Sequence, residues 1–358
     1  MRANALFSRL LGVIALLLFA SCASGQVQER GDLFVIGIHP HSIVVIDSAR
    51  DEVVAQIPTK GHTPKEMVPS PDGKRVYVTT EARQQIEVIN LTTHAVEDVI
   101  NLAAPGTRLN IFGMTLNRKA DRLFVHVLQT KLLPDEYRVL PPQIWSVDLR
   151  THQTQKILEL PEAVVSLFAP TDENRLIAWG RDLYYIDLTQ KRVTGKIPLM
   201  SGDSPNRGAL DTLPFFLQYE QSGIVSIPYF TSDPILKKVL MGLANLNVDT
   251  GKLELLELGP AIPAYSSVVS SDRKRAYLVM NQLVVVDLEG KKVLAVKNLE
   301  RTKYVANISR DGKKLYLPSA GAFLDIYDTQ TLQMIKRVSL PGDPGVSQFR
   351  SLPAAAMP

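Results

Sequence analysis

A short signature, apolar residues running into an Asp or Asn, recurs seven times along this chain. It reads VVID ending at Asp47, VINL with Asn90, SVDL with Asp148, YIDL with Asp187, LNVD ending at Asp249, VVDL with Asp287 and IYDT with Asp328. The steps between these positions are 43, 58, 39, 62, 38 and 41 residues. A period near 40 residues predicts stacked supersecondary units, and four short strands per unit is the layout of a β-propeller blade.

The second unit shows the layout best. SPDGKR (70–75) is a turn, with Pro and Asp-Gly supplying its backbone geometry. VYVTT (76–80) is a β-branched and aromatic strand, EARQQ a polar break, IEVIN (86–90) the next strand, LTTHA a turn and VEDVINL the last strand. The same hairpin signal returns in NRKADRLFV, TDENRLIAW, SSDRKRAYL and SRDGKKLYL, and more weakly in YEQSGIVSI. With DLFVIGI at the start, seven blades are expected. An Asp or Asn at a strand end accepts hydrogen bonds from the amides of the next turn, so the seven repeated residues read as turn punctuation rather than as catalytic acids.

The first blade begins at Asp32 without a preceding turn of the SPDG type, and VSQFRSL (346–352) follows a complete seventh blade. The expectation is an all-β, seven-bladed β-propeller whose C-terminal strand becomes the innermost strand of the N-terminal blade. Closure of that kind leaves no unpaired edge inside the ring. One domain over 30–354 follows; a count at about 150 residues per domain would mislead for an all-β ring.

Residues 1–22 read as a signal peptide. Arg2 and Arg9 supply a positive start, and LLGVIALLLFA (10–20) is an apolar run of 11 residues. That is shorter than the ~20 residues a membrane-spanning helix needs, and it suits a secretory signal. FASC follows, with Cys22 the only cysteine in the chain and Phe19 where Leu is usual in a lipoprotein cleavage box. Two outcomes stay open: lipidation at Cys22, which would anchor the protein to the inner or outer membrane, and ordinary cleavage after Cys22 or Gly25. Either places the protein in the periplasm or cell envelope with no cysteine left to form a disulfide.

The net charge of +4 and the lack of a basic run with interleaved aromatics argue against nucleic acid as a partner. The chain contains no GxSxG, HExxH, GxGxxG or Walker-type loop, and no CxxCH for covalent haem. No residue is assigned a catalytic, cofactor or metal role. His39 and His41 form an HxH pair that would share one face of a strand, but Pro40 between them indicates a solvated loop. His94 and His152 fall in equivalent outer turns and are expected at the surface.

The two over-long steps hold the candidate interface. One carries QTKLLPDEYRVLPPQ (129–143), with Tyr137, Arg138 and the stiffening Pro141-Pro142. The other carries MSGDSPNRGALDTLPFF (200–216), ahead of an expected innermost strand FFLQYEQ, and PYFTSDPILKKVLMG (228–242), which interrupts a hairpin. Tyr137, Arg138, Phe215, Phe216, Tyr229 and Phe230 are interface candidates, with Leu236, Val239 and Leu240 beside them. Tyr265 and Tyr304 join them nearer the channel. Loops held by a rigid scaffold are where binding surfaces usually sit. The alternative is that these aromatics cap the propeller core.

The units with RVYVTT and INLTTHAV resemble the YVTN-type bacterial propeller repeat. Over nearly the whole mature chain, the order and length of the insertions resemble the β-subunit of quinohaemoprotein amine dehydrogenase. The opening DLFVIGIHPHSIVVID, the insertion DEYRVLPPQIWSVD, GRDLYYIDL with its IPLMS exit, and VKNLERTKYVANISRDGKKLYLPSAGAFLDIYDTQTLQMIKRVSLPG carry that resemblance. It implies a periplasmic, non-catalytic propeller subunit without a cofactor of its own. Its partners would be a dihaem chain carrying haem c and a small quinone-bearing chain carrying cysteine tryptophylquinone, whose active site it helps to wall. The lipoprotein-like leader is a departure from that family. Two alternatives accompany this reading. One is a stand-alone, lipid-anchored envelope propeller that binds a protein or ligand. The other is a lactonase-like propeller enzyme with a metal in its channel, for which Glu66 and Asn307 are the main inward-facing donors expected.

Overall fold

In a computed structural model, which describes residues 31–202, 207–345 and 347–353, the chain forms seven antiparallel sheets and, among these residues, no helix. The Cys22 leader lies outside the described residues. Blade two takes the strands Met67–Pro69, Arg75–Thr80, Gln85–Asn90 and Ala95–Asn101 in sequence order from the channel outward.

Strand sequence follows position in the blade. Middle strands such as Arg75–Thr80 and Ser42–Asp47 are buried on both faces, because neighbouring blades cover both, and so they read as continuous apolar runs. Outermost strands such as Lys292–Asn298 alternate between exposed and half-buried positions, since a rim strand is covered less completely. Side chains alternate across each strand. In Leu33–Ile38, Phe34 and Ile36 therefore pack toward blade seven against Tyr316, Leu324 and Ile326, while Val35 packs toward blade two against Val76 and Val78. Seven apolar clusters result, one in each seam.

The ring closes as the sequence indicates. Phe349–Ser351 pairs with the first strand through Phe34 to Ser351, Val35 to Arg350 and Ile36 to Phe349. The Phe34 ring lies 5.4 Å from that of Phe349 and 4.7 Å from that of Tyr316, which ties the first and last described strands to blade seven.

The repeated Asp or Asn does the expected work. Asn90 accepts the amides of Thr92 and Thr93 at 2.9 and 3.0 Å, Asp148 those of Arg150 and Thr151 at 3.1 and 2.8 Å, and Asp328 those of Gln330 and Thr331 at 3.0 and 2.7 Å. Blade five is corrected by two residues. The equivalent position is Asn247, which accepts the Thr250 amide at 3.0 Å, whereas Asp249 accepts the Thr171 hydroxyl of blade four at 2.8 Å. In the SPDG turn, Ser70 Oγ accepts the Arg75 amide at 3.0 Å and donates to Asp72 at 2.5 Å, and Gly73 supplies the left-handed φ of 65°.

The insertions differ from their expected form. The segment 129–143 is not a plain loop: the second strand of blade three runs on to Leu132 and folds back as Tyr137–Val139, with Tyr137 facing Leu132. In blade five no interruption occurs. Ile224–Asp233 and Lys238–Asn247 form one long hairpin, whose turn is held by Asp233 accepting the Ile235 and Leu236 amides at 2.9 and 2.8 Å.

The expected innermost strand of blade five is also absent. The inner strand is only Asp211–Thr212, paired with Phe230 and Tyr229, and residues 213–220 carry no ladder. Continuing that register sets Leu213 against Pro228 and Pro214 against Ile227. Neither proline has an amide hydrogen, so the ladder stops there.

Candidate functional site

Two regions concentrate polar and aromatic side chains: the channel and one face of the ring. The inner strands and the segments beside them bring Glu66, Gly113, Ser166, Tyr219, Gln348 and Arg350 around a cavity of about 10 Å³, room for about one water. Arg350, 4% exposed, fills the centre. Its Nη1 donates to Met67 O at 2.9 Å and Gln348 Oε1 at 3.2 Å, its Nε donates to Glu220, and its guanidinium stacks 4.9 Å from the Tyr219 ring. One side chain from the closing strand thus ties blades one, two and five together.

Glu66 makes the second knot. It accepts the Gly113 amide of blade three at 2.6 Å and the Arg83 guanidinium at 2.6 Å, and Arg83 itself stacks over Phe112 at 4.1 Å. Burial pushes the Glu66 carboxyl up to about 7, against the opposing pull of Arg83 and the Gly113 amide. The folded protein therefore holds this proton more tightly than the unfolded chain. Its contribution to stability is greatest below about pH 4.5 and is lost as pH rises through 7. We expect Glu66→Gln to flatten that limb. Relative to the variant, the wild type should lose up to about 3 kcal/mol between pH 4.5 and 8, read from denaturation midpoints. A pH-independent difference between the two proteins would refute this.

The other expected inward donor, Asn307, spends its amide on Phe349 O at 3.1 Å. Among the described residues no three His, Cys, Asp or Glu side chains come together as a metal site. His39 and His41 sit in the exposed turn between the second and third strands of blade one, where the His41 ring meets that of His62 edge-on at 5.7 Å. His152 pairs with Asp98 at 2.7 Å across a seam. His126 is fully buried in blade three, and burial holds its imidazole down to about 4.

The second region follows from topology. In every blade the chain runs up and down, so connections alternate between two faces. The SPDG-type and Asp-punctuated turns lie on one face. Connections between second and third strands, and between blades, lie on the other. All three insertions fall in this second class, and the same face receives the segments carrying Tyr265 and Tyr304.

The candidate residues divide by burial. Tyr137 is 78% exposed at its hairpin, beside exposed Val139, and Arg138 is exposed and bonded to Glu136 at 2.8 Å. Ile235 is 71% exposed at the blade-five hairpin tip, with Leu236 and Val239 exposed beside it. Phe215 is 41% exposed. Phe216 and Tyr229 are corrected to core positions, 9% and 3% exposed. Phe216 packs into the cluster that closes the ring, and Tyr229 packs across the seam between blades four and five over Gly242, where an added Cβ would lie 2.2 Å from the ring. Leu240 is buried, and Phe230 is half-buried in the seam between blades five and six. Tyr265 and Tyr304 are half-buried and stack on each other at 5.4 Å. Sequence reasoning missed Arg350 and Glu220 although it assigned both segments inward; the available signal was a lone charge within each otherwise polar or apolar inner strand.

A seven-bladed β-propeller with one insertion-bearing face is therefore the class of this chain. Solved structures agree with that architecture. Hydrazine synthase of Kuenenia stuttgartiensis aligns with a TM-score of 0.55 and 12% identity, over 85% of this chain and 90% of that one. Dihydro-heme d1 dehydrogenase NirN, solved in complex with DHE, aligns at 0.53 and 15%, over 86% and 73%. A functionally unknown protein from Desulfotomaculum acetoxidans DSM 771 aligns at 0.58 and 11%, over 90% and 99%. Identities this low show the fold alone. The sequence matches no protein-family model and no curated protein.

Proposed function

We propose that this chain is a non-catalytic propeller subunit of the cell envelope that docks a partner protein on its insertion-bearing face. On this reading the chain is analogous to the β-subunit of quinohaemoprotein amine dehydrogenase, which its sequence resembles, with the small quinone-bearing chain seated on that face and the dihaem chain beside it. The observation that carries the reading is the gathering of all three insertions on one face, tipped by exposed Tyr137, Ile235 and Leu236. Aromatic and aliphatic side chains held on rigid hairpins are the usual anchors of an interface.

The test is affinity purification of the tagged chain from its own host. The expected result is co-elution of c-type haem absorbance and a quinone-staining small chain, with recovery reduced about tenfold by Tyr137→Ala combined with Leu236→Ala. The chain purified alone should show no amine-dependent dye reduction; observing that activity would overturn the non-catalytic reading. A partner lacking both haem and quinone would instead favour a stand-alone envelope propeller. Cys22→Ala should release the protein from the membrane fraction, and a wild type already soluble would indicate ordinary secretion.

A further inference from the structure

The seam between blades five and six is crossed by Arg273, which donates to Ser222 O at 2.8 Å, but it differs from its two neighbours at the outermost strand. Four other seams are bridged there by a side chain reaching the next blade. Asp98 meets His152 at 2.7 Å, Tyr185 donates to Gly251 O at 2.6 Å, Lys297 to Leu332 O at 2.5 Å, and Lys336 to Arg50 O at 3.3 Å. Between Leu253–Pro260 and the turn at 288–291 no such bond forms among the described residues, and a groove of about 820 Å³ opens. That lies within the ~300–1,000 Å³ of binding clefts.

Its lining is amphipathic and unbalanced in charge. Leu255, half-exposed, and Leu256 supply apolar surface from the outermost strand of blade five. Lys252, Arg273, Lys274 and Lys291 supply four cations against the two carboxylates Glu254 and Glu289. Glu254 is paired with Lys252 at 2.6 Å, and Arg273 donates to Ser222 O at 2.8 Å. Lys274 and Lys291 have no carboxylate within ion-pair distance among the described residues, and both stand exposed on turns at the groove edge. The strand Leu253–Pro260 is paired on one side only, through Lys238–Asn247, and its other edge is open for main-chain hydrogen bonding.

We propose that this groove receives an extended peptide segment of a partner protein, one in which acidic residues flank an apolar side chain. The peptide adds a fifth strand to the open edge of blade five. Its apolar side chain covers Leu255, and its carboxylates meet Lys274 and Lys291. Strand addition takes affinity from main-chain hydrogen bonds and selectivity from alternate side chains, and that is the arrangement the groove provides. The site is independent of the insertion-bearing face, which it neither adjoins nor requires.

The test uses the full secreted chain and a fluorescein-labelled six-residue probe of alternating Glu and Leu, followed by fluorescence anisotropy. Saturable binding is expected, with slowed hydrogen exchange confined to the amides of 253–258. Lys274→Glu combined with Lys291→Glu should weaken binding by about tenfold or more. Leu255→Asn should weaken it without altering net charge, and a thermal melt verifies that each variant folds. Equal binding of an alternating Lys and Leu probe, unchanged affinity in the charge-reversed variant, complete displacement by sulfate alone, or protection elsewhere in the ring would each overturn the proposal.

Discussion

Arg350→Ala is expected to destabilise the protein by about 3–5 kcal/mol, the usual cost of removing one partner from a buried ion pair. The substitution strands Glu220 in the channel without its counter-charge, takes the donor from Met67 O and Gln348 Oε1, and removes the cation stacked on Tyr219. Because Arg350 sits on the strand that closes the ring, the loss should appear as a global shift of the denaturation midpoint rather than as local fraying. Arg350→Lys restores a charge but not the fork that serves several acceptors at once, so it should recover only part of the loss. Pairing Arg350→Met with Glu220→Leu should recover more than Arg350→Ala alone, since no buried charge is then left unpaired. An Arg350→Ala midpoint within experimental error of wild type would mean that the channel network does not hold the ring closed.

Phe216→Ala and Tyr137→Ala should behave oppositely. Phe216 is packed with Phe34, Ile36 and Phe349 in the closing seam, and truncating a buried Phe costs about 3–5 kcal/mol. Tyr137 is exposed on a hairpin, where substitution changes stability by only about 0.5 kcal/mol in either direction. Denaturation midpoints of the two single variants decide the matter. A stable Phe216→Ala protein with impaired partner recovery would return Phe216 to the interface. An unstable Tyr137→Ala protein would remove the hairpin from it.

Candidate positions were legible in the sequence to different degrees, and adjacent residues show why. Phe215 and Phe216 are chemically identical neighbours, so composition and hydrophobicity cannot rank them. Their sides are set by a segment that two prolines keep out of the sheet, and the buried one is chosen by the ring-closing cluster that meets it. Tyr229 looks like a loop aromatic within PYFTSD. It becomes core because the hairpin is continuous and Gly242 leaves space for its ring. Tyr137 was legible only as a candidate in an over-long step, and its exposure follows from a strand pair, Leu132 to Tyr137, that extends beyond the blade.

By itself the sequence determined the blade number, the order of strands in the blades other than the fifth, the turn chemistry and the closing strand. All of these rest on local signals: a run of β-branched residues, a turn residue with a required φ, or an Asp one strand-length from the next turn. The two-residue shift to Asn247 shows the resolution of such signals, since register depends on pairing with Ile224 across the hairpin. Only the tertiary structure decided which charges meet at the inner cavity and where the groove beside Leu255 opens. Glu66, Glu220 and Arg350 are separated by more than a hundred residues of chain and meet because ring closure brings the inner segments of blades one, two and five together. Their chemistry is not periodic, so no repeat encodes it. The groove beside Leu255 opens where the outermost strand of blade five makes no side-chain bond to the turn at 288–291, while Arg273 crosses the same seam to Ser222 O, a difference written in the relation between two blades and in neither blade alone.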